Sequence, residues 1–351
     1  MASQEIKFED QIGQLWGYIK GFHAVHVVST GDKLGLFASL KAADNGFSAE
    51  ELATQHDLHA PYVLGWCRTA ASFGFLDGDD STDPVTWKLA PFFDLILASP
   101  GDPRHLANYC TTTTDHFHAD LDRHPDFFKS GEVFTYQEHG ADFTASIADL
   151  TGGLQTVLVH NVLPKLPDIG PRLQEDLKVL DMGCGAGGLM LRLAKAYPAM
   201  TCVGVDVDAH GIEQAALEID RAGMAGRVSA ELVDGGDIGH AGEFDLVTMF
   251  EVLHELPLIV RPQVMANCAR ALKPGGKLLI IDETYPSKSG DLRKPEYFFP
   301  VLTGYNEMTW GNVVPTRAEQ DQLIRDAGLV EIHRDMIGGM FTVMLIEKPM
   351  D

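Results

Sequence analysis

The stretch Lys178-Val-Leu-Asp-Met-Gly-Cys-Gly-Ala-Gly-Gly188 passes from an apolar strand into a glycine loop and then into a helix. Val179 and Leu180 supply the strand, Gly183, Gly185 and Gly187 let the backbone turn tightly against a ligand, and Leu189 to Ala196 has the apolar spacing of an amphipathic helix. The free N–H groups that open such a helix attract an anion. Gly183, Gly185 and Gly188 also satisfy the dinucleotide pattern G-x-G-x-x-G, so the same letters fit two templates. Asp181 separates them. A carboxylate two residues before the first glycine repels a pyrophosphate but suits a ligand with a free ammonium.

Further on, Thr201-Cys-Val-Gly-Val-Asp206 reads as a second strand ending in an acid able to accept hydrogen bonds from ribose hydroxyls, and Glu231-Leu-Val-Asp234 closes a third strand with another acid. Phe244-Asp-Leu-Val-Thr-Met-Phe250 and Leu272-Lys-Pro-Gly-Gly-Lys-Leu-Leu-Ile-Ile-Asp282 continue the series. Through this ordered set the chain resembles the class I S-adenosylmethionine-dependent methyltransferases over roughly residues 165 to 350. The resemblance implies an α/β fold with a Rossmann-like seven-stranded sheet, whose last, antiparallel strand would be Phe341 to Glu347. It further implies that Asp181, Gly183, Gly185 and Gly187 hold the methionine part of S-adenosyl-L-methionine and that Asp206 holds the ribose. Val233 and Asp234 would meet the adenine, with Phe250 a further cofactor contact.

The chain has 351 residues, enough for about two domains with their own cores. With 45% hydrophobic and 22% charged residues it reads as globular. No apolar run reaches membrane-spanning length, and Met1 to Asp10 lacks the basic-then-apolar layout of a signal peptide. Cys67, Cys110, Cys184, Cys202 and Cys268 are scattered and odd in number, which fits a reducing cytoplasm better than a disulfide framework or a zinc ribbon. A formal charge of −23, from 27 basic and 50 acidic residues, repels nucleic acid and anionic membranes.

Residues 1–100 read as a mainly helical lobe with a small wing. Gly21 to Leu40 carries apolar residues at helical spacing, Ser48 with Glu51 makes a capping box, and a second helix is expected over Pro61 to Phe73. Gly74 to Asp77 and Thr86 to Ala90 read as two short strands. This lobe resembles the winged-helix domain found at the N-terminus of many small-molecule methyltransferases, which implies a homodimer. A DNA-binding role needs a basic recognition helix, and the Pro61 to Phe73 segment offers only Arg68. Residues 101–164 read as mainly helical, and the resemblance implies that they form a connector covering the acceptor pocket, with residues 165–351 as the S-adenosylmethionine-binding catalytic domain.

Methyl transfer is an in-line displacement, so alignment and exclusion of water carry much of the catalysis, and a base is needed only where the acceptor loses a proton. His254 follows the fourth strand in Phe250-Glu-Val-Leu-His-Glu-Leu256. It coincides with the histidine of the His-Asp-Trp motif that serves as base in similar O-methyltransferases, although Glu255 and Leu256 replace the aspartate and tryptophan. Asp282 and Glu283, after the fifth strand, are placed to orient it. Similar enzymes place acceptor-pocket residues in the aromatic stretch from Tyr297 to Trp310, where Tyr305, Asn306 and Trp310 are the better candidates because each keeps a polar group, and Tyr109 and Tyr136 are candidates by location. His116, His118, His124 and His139 do not match a zinc spacing, so no metal site is expected.

The reading that follows is S-adenosylmethionine-dependent methyl transfer to a small organic metabolite, with O-methylation of a phenolic or enolic hydroxyl leading. S-methylation of a thioether acid such as methylthio-hydroxybutyrate, on the route to dimethylsulfoniopropionate, stands as an alternative. So do a cofactor-sensing winged-helix regulator without turnover and a fold relative that uses the bound sulfonium for decarboxylation or cyclisation.

Overall fold

A computed structural model describes residues 6–233 and 238–350. Contacts divide the chain into two compact units, residues 1–119 and 120–351. In the first unit the helical segment is both longer and more broken than the spacing of Gly21 to Leu40 predicts. One helix runs Phe8–Lys33 and a second Leu36–Ala42. Gly35 separates them with φ of 69°, a left-handed turn that ends the first helix and begins the second. Gly13, Gly17 and Gly21 weaken the helical signal upstream, yet each costs only about 1 kcal/mol relative to alanine, and the helix continues through them.

Ser48 starts the helix Ala49–His56 with the capping box its sequence predicts, its Oγ accepting from Glu51 N at 3.2 Å while Ser48 N donates to the Glu51 carboxylate at 2.8 Å. The next helix is Ala60–Ser72. Strands Leu76–Asp79 and Thr86–Leu89 pair antiparallel, and Phe47–Ser48 joins their edge. Leu36, Phe37, Leu52, Cys67 and Ala70 fill the core of this unit.

The second unit is built on a seven-stranded sheet: β1 (Lys178–Met182), β2 (Thr201–Asp206), β3 (Val228–Leu232), β4 (Phe244–Phe250), β5 (Leu272–Asp282), β6 (Val330–Ile337) and β7 (Phe341–Glu347). Their spatial order is 3-2-1-4-5-7-6. β1 to β5 run parallel, and β7 is antiparallel to both neighbours, as expected from the sequence. Alternate residues serve opposite faces: Val179, Leu246 and Leu279 enter one core, while Leu180, Val247 and Leu278 enter the other. This two-sided burial explains the near-continuous apolar runs. The strand order reverses between β1 and β4, so the crevice beyond their carboxyl ends is where such a sheet binds ligands.

Candidate active site

The glycine loop after β1 is tied to β2. Gly183 N and Cys184 N donate to Val205 O at 2.9 and 3.1 Å, and Gly185 N donates to the Asp206 carboxylate at 2.7 Å. The second Asp206 oxygen accepts from Asp208 N at 2.8 Å. Burial raises the Asp206 pKa, while these backbone donors hold it back toward the charged form. Three glycines meet three different demands. A Cβ on Gly183 would lie 2.5 Å from Val252 Cγ2, and Gly187, with φ of 75°, caps the helix Gly188–Ala196. At Gly185, with φ of 48°, a Cβ would meet no atom within 4 Å, so this part of the loop faces open space.

That open space is bounded by Asp206 and by the backbone of a helix start, a donor and acceptor set that suits a nucleoside bearing an amino acid. Asp181, 2% exposed, accepts from Thr248 Oγ1 at 2.5 Å, and burial pushes its pKa up to about 7. A nearby ammonium would restore its charge. Val233 N donates to Asp206 O at 2.9 Å, which holds Val233 beside the end of β2. Phe250 closes β4 and is buried. Asp234 lies outside the described residues.

His254, 2% exposed, sits beyond β4 with its ring among carboxylates. Nδ1 donates to Asp282 Oδ1 at 2.8 Å and stands 3.3 Å from Glu283 Oε2, while Nε2 faces Glu307 Oε2 at 3.5 Å. Burial opposes charging of the imidazole, but Asp282 and Glu283 outweigh it, and the pKa rises well above the ordinary histidine value. The acids respond in the other sense. Burial pushes Glu283 up to about 7 and Glu255 up to about 8, and raises Glu251 and Glu307 as well.

Glu251 adopts φ of 57°, a costly conformation for a side chain of its size, and among the described residues its Oε1 and the Oε2 of Glu283 are buried without a hydrogen bond. Arg261 holds the loop by donating to His254 O at 3.0 Å, Leu256 O at 2.9 Å and Val313 O. Thr303 Oγ1 donates to Glu283 at 2.8 Å and Asn312 Nδ2 to Glu307 at 2.8 Å. Sequence reading named His254, Asp282 and Glu283, but missed Glu307, Arg261, Thr303 and Asn312. The available signal was that Glu307 is the sole acid between Tyr297 and Trp310.

The aromatic candidates separate. The Tyr136 ring packs edge-on against Phe143 and Trp310, and its phenol feels the charges of Glu255, Asp208 and Asp206. Together with burial, these raise its pKa. Trp310 is 4% exposed and donates Nε1 to Asp120 Oδ2 at 3.0 Å, so its polar group is committed within the fold. The other partner of Asp120 is His139 Nε2 at 2.9 Å. Tyr305 is 48% exposed and meets the His124 ring edge-on. Asn306 ends the helix Phe298–Asn306, half-buried. Tyr109 lies on the helix Ala107–Thr112 of the first unit.

This geometry accords with comparisons to known proteins. Residues 179–276 match the methyltransferase domain family. The chain is 41% identical over 101 residues to a ubiquinone biosynthesis O-methyltransferase of Thiobacillus denitrificans, covering 28% of this chain and 41% of the relative. It is 30% identical over 156 residues to a 3-hydroxy-5-methyl-1-naphthoate 3-O-methyltransferase of Streptomyces sahachiroi, covering 44% of each. The chain thus spans less than half the length of these curated relatives.

Among solved structures, an O-methyltransferase family protein from Burkholderia thailandensis superposes with a TM-score of 0.76 at 17% identity, covering 96% of this chain and 98% of that one. Human N-acetylserotonin methyltransferase, solved with its methyl donor, superposes with a TM-score of 0.77 at 17% identity, covering 99% and 100%. At that identity the likeness establishes the fold. The second unit places its glycine loop and His254 at the same edge of one sheet.

Proposed function

We propose that the protein transfers a methyl group from S-adenosyl-L-methionine to a hydroxyl oxygen, phenolic or enolic, of a small organic molecule. The observation that carries this reading is His254, with Nδ1 donated to a fully buried Asp282 beyond the end of β4, on the edge that also carries the glycine loop. When bound, the cofactor supplies an electrophilic methyl on a sulfonium sulfur, which departs as a neutral thioether. Asp206 accepts from the ribose hydroxyls, Asp181 and the loop of Gly183, Gly185 and Gly187 hold the amino-acid end, and Val233 and Phe250 lie toward the adenine. Tyr136, Tyr305 and Asn306 border the acceptor, with Trp310 packing behind Tyr136.

Asp282 fixes the imidazole orientation, so Nε2 is the atom that takes the hydroxyl proton as the new C–O bond forms. Because the carboxylates favour the imidazolium, the neutral, proton-accepting form grows only as pH rises past the raised pKa, and turnover rises with it. The thioether-acid alternative gains no support from this environment. The groups around the ring are carboxylates, which repel an acceptor's own carboxylate, and the guanidinium of Arg261 is spent on three backbone carbonyls.

His254→Ala tests the assignment. Turnover of a hydroxyl acceptor found by screening with methyl-labelled cofactor is expected to fall about 10²–10⁴-fold with cofactor affinity retained. Wild-type turnover of that acceptor by the variant would refute it.

For assembly we propose a homodimer formed through the first unit, supported by the apolar residues Ile12, Leu15, Trp16, Ile19 and Phe22, which all stand exposed on one helix. No described helix is long and apolar enough to cross a membrane, and all five cysteines are free, which supports a cytoplasmic setting.

A further inference from the structure

His254 carries one nitrogen that its surroundings define and leave open. Nδ1 bears the proton donated to Asp282, so Nε2 presents a lone pair whenever the ring is neutral. The side chain is only 3% exposed, yet among the described residues Nε2 makes no hydrogen bond, and it faces the Glu307 carboxylate at 3.5 Å. One side-chain donor atom from each of His254, Glu255 and Glu307 lies within 4.8 Å of the other two. An imidazole whose far N–H is held by a carboxylate, with two further carboxylates converging on its free nitrogen, is the arrangement that holds a divalent metal ion.

We propose that His254 Nε2, Glu255 and Glu307 form a binding site for a divalent cation of the zinc class, and that filling it blocks methyl transfer. The distances fit. An ion bonded at about 2.1 Å to both Nε2 and Glu307 Oε2, which stand 3.5 Å apart, subtends about 113°, close to tetrahedral. At the tetrahedral angle two such bonds span about 3.4 Å, so Glu255, whose donor atom lies within 4.8 Å of the other two, closes in by up to about 1.4 Å, within the reach of a side chain with three rotatable bonds. Asn312 Nδ2 donates to Glu307 Oε2 and orients it, as Asp282 orients the ring.

Three protein ligands leave a fourth position to water or to an acceptor hydroxyl. The blocking effect rests on the proposed role of His254, because the lone pair that would take the acceptor's proton is the one the ion occupies. The binding itself does not rest on that role.

The experiment separates the two. The untagged full-length protein, without cofactor or acceptor, is dialysed against Co²⁺ and then against Zn²⁺, and bound metal is quantified by mass spectrometry and by the visible absorption of tetrahedral Co²⁺. One ion per chain is expected, with the His254 imidazole resonances shifted by Zn²⁺. Glu255→Gln and Glu307→Gln, checked for folding by circular dichroism, are each expected to weaken binding at least tenfold. Absence of a stoichiometric ion in the wild-type protein, or full affinity in both variants, would overturn the site. Turnover is then measured with EDTA and with added Zn²⁺. Inhibition by Zn²⁺ that Glu307→Gln relieves is expected, and a bound ion that leaves turnover unchanged would overturn the blocking effect. The base assignment is read separately, from His254→Ala in EDTA, so either idea can fail alone.

Discussion

Replacing Asp282 with asparagine removes one negative charge beside His254 while nearly preserving shape. Asp282 is fully buried; its Oδ1 accepts from His254 Nδ1 at 2.8 Å and from Glu283 N at 2.7 Å, and its Oδ2 faces His254 N at 3.3 Å. With about 4 Å between charge centres and an effective dielectric of about 20, the attraction lost is about 4 kcal/mol. At about 1.4 kcal/mol per unit, that is about 3 pH units of imidazole pKa. Glu283 and Glu307 compensate little, because burial raises the pKa of both, that of Glu283 to about 7, and so weakens their charge.

The imidazole of His254 is therefore expected to titrate about 2–3 units lower in Asp282→Asn than in the wild type. NMR of the ring carbon and nitrogen resonances in EDTA, assigned by their loss in His254→Gln, measures this without an acceptor. Stability follows the same sign. A raised folded pKa contributes stability that is fully present below the unfolded value, about 6.5, and is lost as pH rises through the raised folded value. The variant should lose that slope. An unchanged imidazole midpoint in a folded Asp282→Asn protein would refute the view that Asp282 holds the proton on His254.

Three further outcomes are expected. Asp206→Ala should weaken S-adenosylhomocysteine binding by about 1.5–3 kcal/mol for each charged hydrogen bond lost, read by calorimetry, and unchanged affinity would remove Asp206 from the site. Gly183→Ala should lower stability by about 2–5 kcal/mol in denaturant unfolding, since its φ of 72° costs about 1–2 kcal/mol and the 2.5 Å approach to Val252 costs about 1–3 kcal/mol more; an unshifted midpoint would contradict the close packing described here. Light scattering should report a dimer for the wild type and a monomer for Leu15→Glu combined with Trp16→Glu; a wild-type monomer would reverse the assembly proposal.

The sequence by itself determined the elements and their order. The switch between period two and period 3.6, the glycines after Val179 and Leu180, and the acids that end β2 and β5 are local signals, and local sterics enforce them. The capping box at Ser48 was legible for the same reason, whereas the antiparallel last strand was implied by the family resemblance. Where the reading failed, at the helix from Phe8 to Lys33, propensity penalties at three glycines were small beside the length of the helix.

The site was a different matter. That His254 is pressed between Asp282, Glu283 and Glu307, that Trp310 spends its N–H on Asp120, and that among the described residues Glu251 keeps a buried oxygen without a hydrogen bond all depend on residues far apart in the chain. Burial sets the charge state of these groups, and burial is a property of packing. Only the tertiary structure decided which acids surround the histidine, and with that the protonation state its chemistry starts from.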